Sequence, residues 1–103
     1  MVHKFDFLVI GSGIAGMSYA LKVAEKGSGA LICKNKLEQA NTYYAQGGIA
    51  SVTNNLVDSL DKHIEDTLIA GDWLSDSEAV KKVVTEAPSQ IQALIDWGVQ
   101  FDT

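Results

Sequence analysis

The chain has 103 residues, of which 47% are hydrophobic and 20% charged, and its formal net charge at pH 7 is −5. The eight basic residues are all lysines without a cluster among them, which excludes a surface built to meet nucleic-acid phosphates or an anionic membrane. A single cysteine and the lack of a long apolar run exclude a disulfide scaffold and a transmembrane segment, and indicate a globular protein of the reducing cytoplasm.

The first 33 residues have the pattern of a strand, a helix and a second strand. Residues 5–10, FDFLVI, are apolar except for one aspartate, which predicts a strand buried on both faces of a parallel sheet. Apolar residues then recur every three or four positions over residues 14–26, which predicts a helix that Gly27 is placed to end. The apolar run at 30–33 predicts the second strand.

The segment GSGIAG lies between the first strand and the helix, with glycines at 11, 13 and 16. We expect Gly11 to let the chain turn sharply, Gly13 to leave room for a diphosphate against the backbone, and Gly16 to let helix and strand pack closely. Free N–H groups at the helix N-terminus favour an anion there. Because a strand precedes the motif and a helix follows it, we predict dinucleotide binding over the alternative of a glycine-rich turn that binds nothing.

One residue type of a dinucleotide-binding unit is missing. Such units usually end their second strand with an aspartate or glutamate, which accepts hydrogen bonds from the ribose of the cofactor. Here the strand ends in Cys33 and Lys34. The missing acid argues against the ribose contact that is typical of NAD-binding units, and it does not exclude FAD.

No helical or strand period is sustained over residues 35–55, although the composition is not that of a disordered linker. A segment with small residues, short polar side chains and paired glycines can lie along a flat or charged ligand. The alternative is a surface loop with two half-buried tyrosines. The ligand-facing candidates are Asn41, Thr42, Gln46, Gly47 and Gly48.

Three helices are predicted in the last part of the chain. The first covers residues 58–71, with apolar residues on one side and charged residues on the other. Ser75 and Glu78 have the spacing of a capping box that opens the second helix. Pro88 is predicted to begin the third, and Gly98 to end it.

We predict no catalytic residue and no metal site in the chain. His63 has no second histidine or cysteine at ligand spacing. Cys33 has no histidine nearby in the sequence to activate it, and GSGIAG is not the G-x-S-x-G elbow of a hydrolase.

The predicted sheet is small for a complete domain. Two parallel strands leave an edge exposed on each side, whereas parallel sheets usually contain several strands covered on both faces. We therefore expect the sequence to be the N-terminal piece of a larger protein. The alternatives are an α/β miniature that covers the sheet with its later helices, and an oligomer that buries the edges.

Five stretches together resemble the flavoprotein family that contains succinate dehydrogenase, fumarate reductase and L-aspartate oxidase: GSGIAGMSYAL, the strand ending in Lys34, NTYYAQGGIA, HIEDTLIAGD and LIDWGVQFDT. The likeness covers residues 5–103, and the last two stretches are most similar to L-aspartate oxidases. The resemblance implies an α/β fold, the N-terminal βαβ unit of a Rossmann-like FAD-binding domain followed by a glycine-rich loop and helices. It places the dinucleotide-binding unit at 1–34, a flavin-contacting loop at 35–56 and a helical segment at 57–98.

The resemblance also implies FAD as the cofactor, with Lys34 on the adenosine side and residues 41–48 along the pyrophosphate and flavin. A cation suits so phosphate-rich a cofactor. Membrane-bound members attach FAD covalently to a histidine in this loop; Asn41 stands in its place and cannot form that bond, so non-covalent FAD is expected. The cofactor-binding residues that we expect are Gly11, Ser12, Gly13, Ile14, Ala15, Gly16, Lys34, Asn41, Thr42, Tyr43, Tyr44, Ala45, Gln46, Gly47 and Gly48.

For function, the resemblance implies a parent enzyme that oxidises L-aspartate to iminoaspartate, with oxygen or fumarate reoxidising the flavin. The product would feed quinolinate and NAD synthesis, with a link to quinolinate synthase. The catalytic residues of the family lie beyond residue 103, so the chain alone is expected to be inactive and to hold FAD weakly or not at all. The alternatives are a soluble fumarate reductase or succinate-oxidising flavoprotein, a non-catalytic nucleotide-binding module, and a structural α/β domain with a coincidental glycine turn.

Overall fold

The computed structural model describes residues 1–45, 47–54 and 58–102, and it consists of two compact units, Met1–Gly47 and Gly48–Thr103. Within the described residues, the first unit contains two strands and two helices, and the second contains two helices. The elements of the first unit are β1 (Phe7–Ile10), α1 (Ile14–Val23), β2 (Gly29–Ile32) and α2 (Asn41–Tyr44). Those of the second unit are α3 (Leu60–Ala70) and α4 (Ser77–Asp96). In the described ranges, no helix has the length and hydropathy to cross a membrane.

The two strands form a parallel pair in which Phe7 lies opposite Gly29 and Ile10 opposite Ile32. Because parallel strands need a crossover, α1 connects them and packs against both, which confirms the predicted strand–helix–strand unit. Val9 is 7% exposed, whereas its neighbours Leu8 and Ile10 are 61% and 77% exposed. Successive side chains of a strand point to opposite faces. The prediction that this strand is buried on both faces is therefore wrong, because α1 covers one face only.

The turn from α1 into β2 is held by the one charged residue of the first apolar run. The carboxylate Oδ2 of Asp6 accepts hydrogen bonds from the backbone N–H of Ser28, at 2.8 Å, and from its hydroxyl, at 3.0 Å. A Cβ atom on Gly27 would lie 2.6 Å from the same oxygen. Helix α1 ends at Val23, earlier than predicted, and the intervening residues form a turn. Asp6 thus fixes the residue that precedes β2, although Asp6 itself lies outside both strands.

A single helical turn, α2, interrupts the segment for which no regular structure is predicted. The N–H groups of Tyr43 and Tyr44 both donate to the carbonyl oxygen of Ala40, at 3.0 and 3.3 Å. Four residues are too few to show a period, which explains why the sequence pattern misses this helix. The tyrosines are 67% and 63% exposed, not half-buried, and their rings meet edge to face with centroids 5.4 Å apart.

Helix α3 agrees with the prediction of a helix at 58–71. Ser59 is the N-cap, and its hydroxyl accepts a hydrogen bond from the N–H of Lys62 at 3.1 Å. The helix ends in a Schellman motif in which the N–H of Asp72 donates to Ile69 and that of Trp73 donates to Leu68. Asp72 and Trp73 have φ angles of 53° and 60°, so this end adopts left-handed backbone without a glycine at either position.

Helix α4 is one helix of 20 residues, so the prediction of two helices separated at Pro88 is wrong. Proline removes one backbone hydrogen bond, at a cost of roughly 3 kcal/mol inside a helix. The apolar stripe nevertheless keeps its spacing of three and four residues through Pro88, and α4 packs against α3. Packing of a continuous stripe therefore outweighs the local break. The stripe consists of Val80, Val84, Ala87, Ile91 and Leu94.

The two ends of α4 differ in how well the sequence predicts them. Asp76, not Ser75, is the N-cap, and its Oδ1 accepts a hydrogen bond from the N–H of Ala79 at 2.9 Å. The predicted capping box is therefore wrong by one residue, since serine and aspartate are equally good caps and stand side by side. At the other end Gly98 has a φ of 101°, and the N–H of Val99 donates to Leu94 at 3.0 Å. This confirms that Gly98 ends the helix.

Candidate functional site

The glycine turn between β1 and α1 has two positions that the fold itself reserves for glycine. Gly11 has a φ of +111°, and its N–H donates to the carbonyl oxygen of Ile32 at 2.8 Å, which ties the turn to the end of β2. A Cβ atom on Gly16 would overlap the carbonyl oxygen of Gly11 and lie 3.3 Å from Cγ1 of Val9. The sharp turn predicted for Gly11 and the close packing predicted for Gly16 are both present.

Gly13 differs from these two glycines. It is the N-cap of α1, with a φ of −73° and a ψ of 177°, which any residue can adopt. A Cβ atom there would lie 3.6 Å from Oγ1 of Thr42, an ordinary van der Waals distance. Among the described residues, neither the backbone angles nor the contacts of Gly13 require glycine at this position.

The N-terminus of α1 has the electrostatics of an anion site. Its N-cap makes no side-chain hydrogen bond to the first turn, and that turn contains no acidic residue. The N–H groups of the first turn of a helix have no partner within the helix, and the helix dipole adds positive potential. This end of α1 can therefore receive a phosphate group.

Helix α2 is joined to this turn by one hydrogen bond. The N–H of Ile14, the first residue of α1, donates to Oγ1 of Thr42 at 3.1 Å, across 28 positions of sequence. The structure thereby brings together two of the stretches predicted to bind a cofactor, 11–16 and the start of 41–48. The sequence pattern of neither stretch predicts this contact.

A cavity of about 490 Å³ lies beyond the carboxyl ends of β1 and β2, where ligands bind in open α/β sheets. Three predicted residues, Gly11, Ser12 and Lys34, line it. Gln39 and Ala40 also line it and were missed, because they lie in a stretch without a period and nothing in the sequence indicates that it turns back toward the strands. The remaining lining residues are Ile10, Ile32 and Cys33.

The other predicted binding residues lie outside this cavity lining. Ala15 is exposed on α1, and the side chains of Asn41, Tyr43, Tyr44 and Ala45 are exposed. Cβ atoms placed on Gly47 and Gly48 would meet nothing within 4 Å. Gln46 lies outside the described residues, as does the predicted boundary between residues 56 and 57.

Comparison with known proteins identifies the family. The family described as FAD binding domain matches residues 6–103, which is nearly the whole chain. The chain belongs to the FAD binding domain family. This confirms the predicted family, its α/β fold class and FAD as the cofactor.

Two of the proteins to which the chain is similar are named L-aspartate oxidases. L-aspartate oxidase 2-a, chloroplastic, of Nicotiana tabacum is 50% identical over 98 residues, which cover 95% of this chain and 15% of the relative. The L-aspartate oxidase of Yersinia pestis is 48% identical over 101 residues, 98% of this chain and 19% of the relative. The chain thus spans less than a fifth of the length of these relatives.

A solved structure agrees with the fold. A mutant of the FrdA subunit of E. coli quinol fumarate reductase superposes with a TM-score of 0.87 at 31% identity, covering 98% of this chain and 18% of that one. The residues of the site suit FAD on physical grounds as well. A helix N-terminus without an acidic residue in its first turn and a cavity lined by Lys34 suit a dinucleotide with a diphosphate.

Proposed function

We propose that the chain is the FAD-binding N-terminal part of an L-aspartate oxidase, an enzyme that oxidises L-aspartate to iminoaspartate. The observation that carries this proposal is the similarity to L-aspartate oxidases along nearly the whole chain, at higher identity than to the fumarate reductase subunit. The product, iminoaspartate, would be used in the synthesis of quinolinate and then of NAD. Quinolinate synthase is therefore the partner that we propose for the parent enzyme. We propose a cytoplasmic location, which a single cysteine without a partner for an internal disulfide supports.

In this proposal the first unit of the chain holds the cofactor. The turn at 11–16 and the hydroxyl of Thr42 hold the diphosphate, Lys34 offsets its charge on the adenosine side, and residues 41–48 continue along the flavin. The hydrogen bond from the N–H of Ile14 to Oγ1 of Thr42 supports these roles, because it sets α2 beside the start of α1. Gln46 is included among the residues along the flavin on the basis of the sequence alone. We assign residues 1–34 to the dinucleotide-binding unit, residues 35–56 to the flavin-contacting loop and residues 57–98 to the helical segment.

When bound, FAD would accept a hydride from Cα of L-aspartate and pass the electrons to oxygen or fumarate. The residues of this chain bind the cofactor and orient it. The N–H groups at the start of α1 and the ammonium of Lys34 fix the anionic middle of the cofactor, and the closely packed Gly16 keeps α1 against β1 so that this end of the helix stays in place. We assign no catalytic residue in the chain.

We expect the flavin to be released when the protein is denatured. The family resemblance implies that Asn41 stands where covalent members carry the histidine linked to the flavin, and an amide side chain cannot make that bond. Precipitating the flavin-loaded protein with acid should leave the flavin absorbance in the supernatant. A flavoprotein with a histidyl-linked flavin, treated in parallel, serves as the control. Flavin fluorescence that stays with the protein on a denaturing gel would contradict this prediction.

The substrate test is anaerobic bleaching of the bound flavin in the complete parent protein. L-aspartate should remove the visible absorbance of the flavin, because the hydride reduces it when no acceptor is present, whereas succinate should not. D-aspartate is the matched control for stereospecific recognition of Cα.

The opposite pattern would favour the second candidate, a soluble fumarate reductase or succinate-oxidising flavoprotein, for which the fumarate reductase subunit is the supporting structure. Bleaching by neither substrate would favour a non-catalytic nucleotide-binding module. A purified parent protein that contains no flavin, and takes up none when FAD is added, would overturn the proposed function.

A further inference from the structure

The cavity at the strand ends contains no acidic side chain among its lining residues, although dinucleotide-binding units usually place one there. The hydroxyls of a ribose donate hydrogen bonds, so a site that recognises them needs an acceptor. The polar side chains of the lining are those of Ser12, Cys33, Lys34 and Gln39. Among the side chains of this lining, these four are the candidates for the acceptor that the missing carboxylate provides elsewhere.

Two of the four are poor candidates by their chemistry. The ammonium of Lys34 has donors only and cannot accept from a hydroxyl. Sγ of Cys33 lies 3.0 Å from the carbonyl oxygen of Asn35, to which the thiol donates, and sulfur is a weak acceptor. Ser12 belongs to the glycine turn next to Gly13, the end of the site where the diphosphate is expected. Gln39 remains, and it is the one lining side chain with a carbonyl oxygen.

The backbone holds Gln39 at the cavity wall. Its N–H donates to the carbonyl oxygen of Lys36 at 3.0 Å, which closes a turn after β2. The next residue, Ala40, is the N-cap of α2, and α2 is bonded to the start of α1 through Thr42. Gln39 is thus placed between two anchored points. Glu38, the adjacent acid, does not line the cavity.

We propose that Gln39 takes the role of the missing acid, its side-chain carbonyl accepting a hydrogen bond from a ribose hydroxyl of the adenosine half of FAD. The inference rests on the proposed function, because it presumes that the cavity receives the adenosine. A neutral amide can accept the hydrogen bond of the hydroxyl without adding a negative charge beside Lys34. The positive charge of Lys34 then remains for the anionic diphosphate of the cofactor.

The test measures recognition of single hydroxyls in the parent protein after its flavin has been removed. ADP, 2′-deoxy-ADP and 3′-deoxy-ADP are titrated by calorimetry into the wild type and into Gln39→Leu, Gln39→Glu and Glu38→Gln. We expect the wild type to prefer ADP over at least one deoxy analogue by about fivefold to tenfold, the worth of one hydrogen bond. Gln39→Leu should bind ADP and that analogue equally, whereas Gln39→Glu, which keeps an acceptor, should retain the preference.

Glu38→Gln is the matched control, since this neighbouring side chain is outside the cavity lining and should leave the preference unchanged. Gln39 is exposed, so its replacement should not alter the thermal unfolding midpoint. A preference that survives in Gln39→Leu would overturn the role of Gln39 while leaving the proposed function intact. A wild type that binds neither ADP nor FAD would overturn both.

Discussion

Gly16→Ala is expected to destabilise the protein by about 3 kcal/mol, the upper part of the range for overpacking a well-packed site. The added Cβ atom would overlap the carbonyl oxygen of Gly11 and lie 3.1 Å from its carbonyl carbon. These are backbone atoms of a residue whose φ is +111° and whose N–H is bonded to Ile32, so they cannot move without disturbing the turn and the sheet. Urea unfolding followed by circular dichroism measures the loss.

Gly29→Ala is the matched control for this prediction. Gly29 is the first residue of β2, and a Cβ atom there would meet nothing within 4 Å. We expect its effect on the free energy of unfolding to stay within about 0.5 kcal/mol, as for other open surface positions. Equal unfolding midpoints for the two variants would show that close packing at Gly16 is not what the fold requires.

Gly13→Ala is expected to leave the fold intact and to weaken FAD binding by between about tenfold and a hundredfold, the worth of one hydrogen bond to a charged group. The backbone angles of Gly13 suit alanine, and the new methyl would touch Oγ1 of Thr42 at an ordinary distance. A ligand lying against the backbone at Gly13 would also meet this methyl group, and it would have to move away. Alanine is also a poorer N-cap than glycine, so a loss of stability below about 1 kcal/mol is expected.

The measurement for Gly13→Ala is titration of FAD into flavin-free parent protein, followed by the quenching of flavin fluorescence, together with urea unfolding of the same samples. Gly29→Ala again serves as the control, because it adds a methyl group outside the site. Unchanged FAD affinity in Gly13→Ala would place the diphosphate elsewhere. Loss of the fold would mean that glycine at 13 serves the structure and not the ligand.

Several features of the fold could be predicted because their causes are local. The strand–helix–strand unit, α3 and the end of α4 at Gly98 each follow from a hydrophobic period, a cap or a turn residue within a few positions. The same holds for Gly11 and Gly16, whose spacing alone predicts a sharp turn and a close contact, both of which the structure has. Family and cofactor could also be predicted, since motifs along the whole chain carry the resemblance.

Other features depend on contacts that no local pattern contains. Pro88 predicts a break, but α4 is continuous and packs against α3, since the packing of its apolar stripe outweighs one lost hydrogen bond. The single turn of α2 is too short for a period.

The candidate site shows the same division between sequence and tertiary structure. Sequence alone determined that a dinucleotide turn and a polar, glycine-containing loop belong to this protein. Only the tertiary structure decided that Thr42 reaches the start of α1 and that Gln39 lines the cavity beside Lys34. These residues lie far from the glycine turn along the chain, and only the parallel pairing of β1 and β2 brings their strand ends and the following turn together.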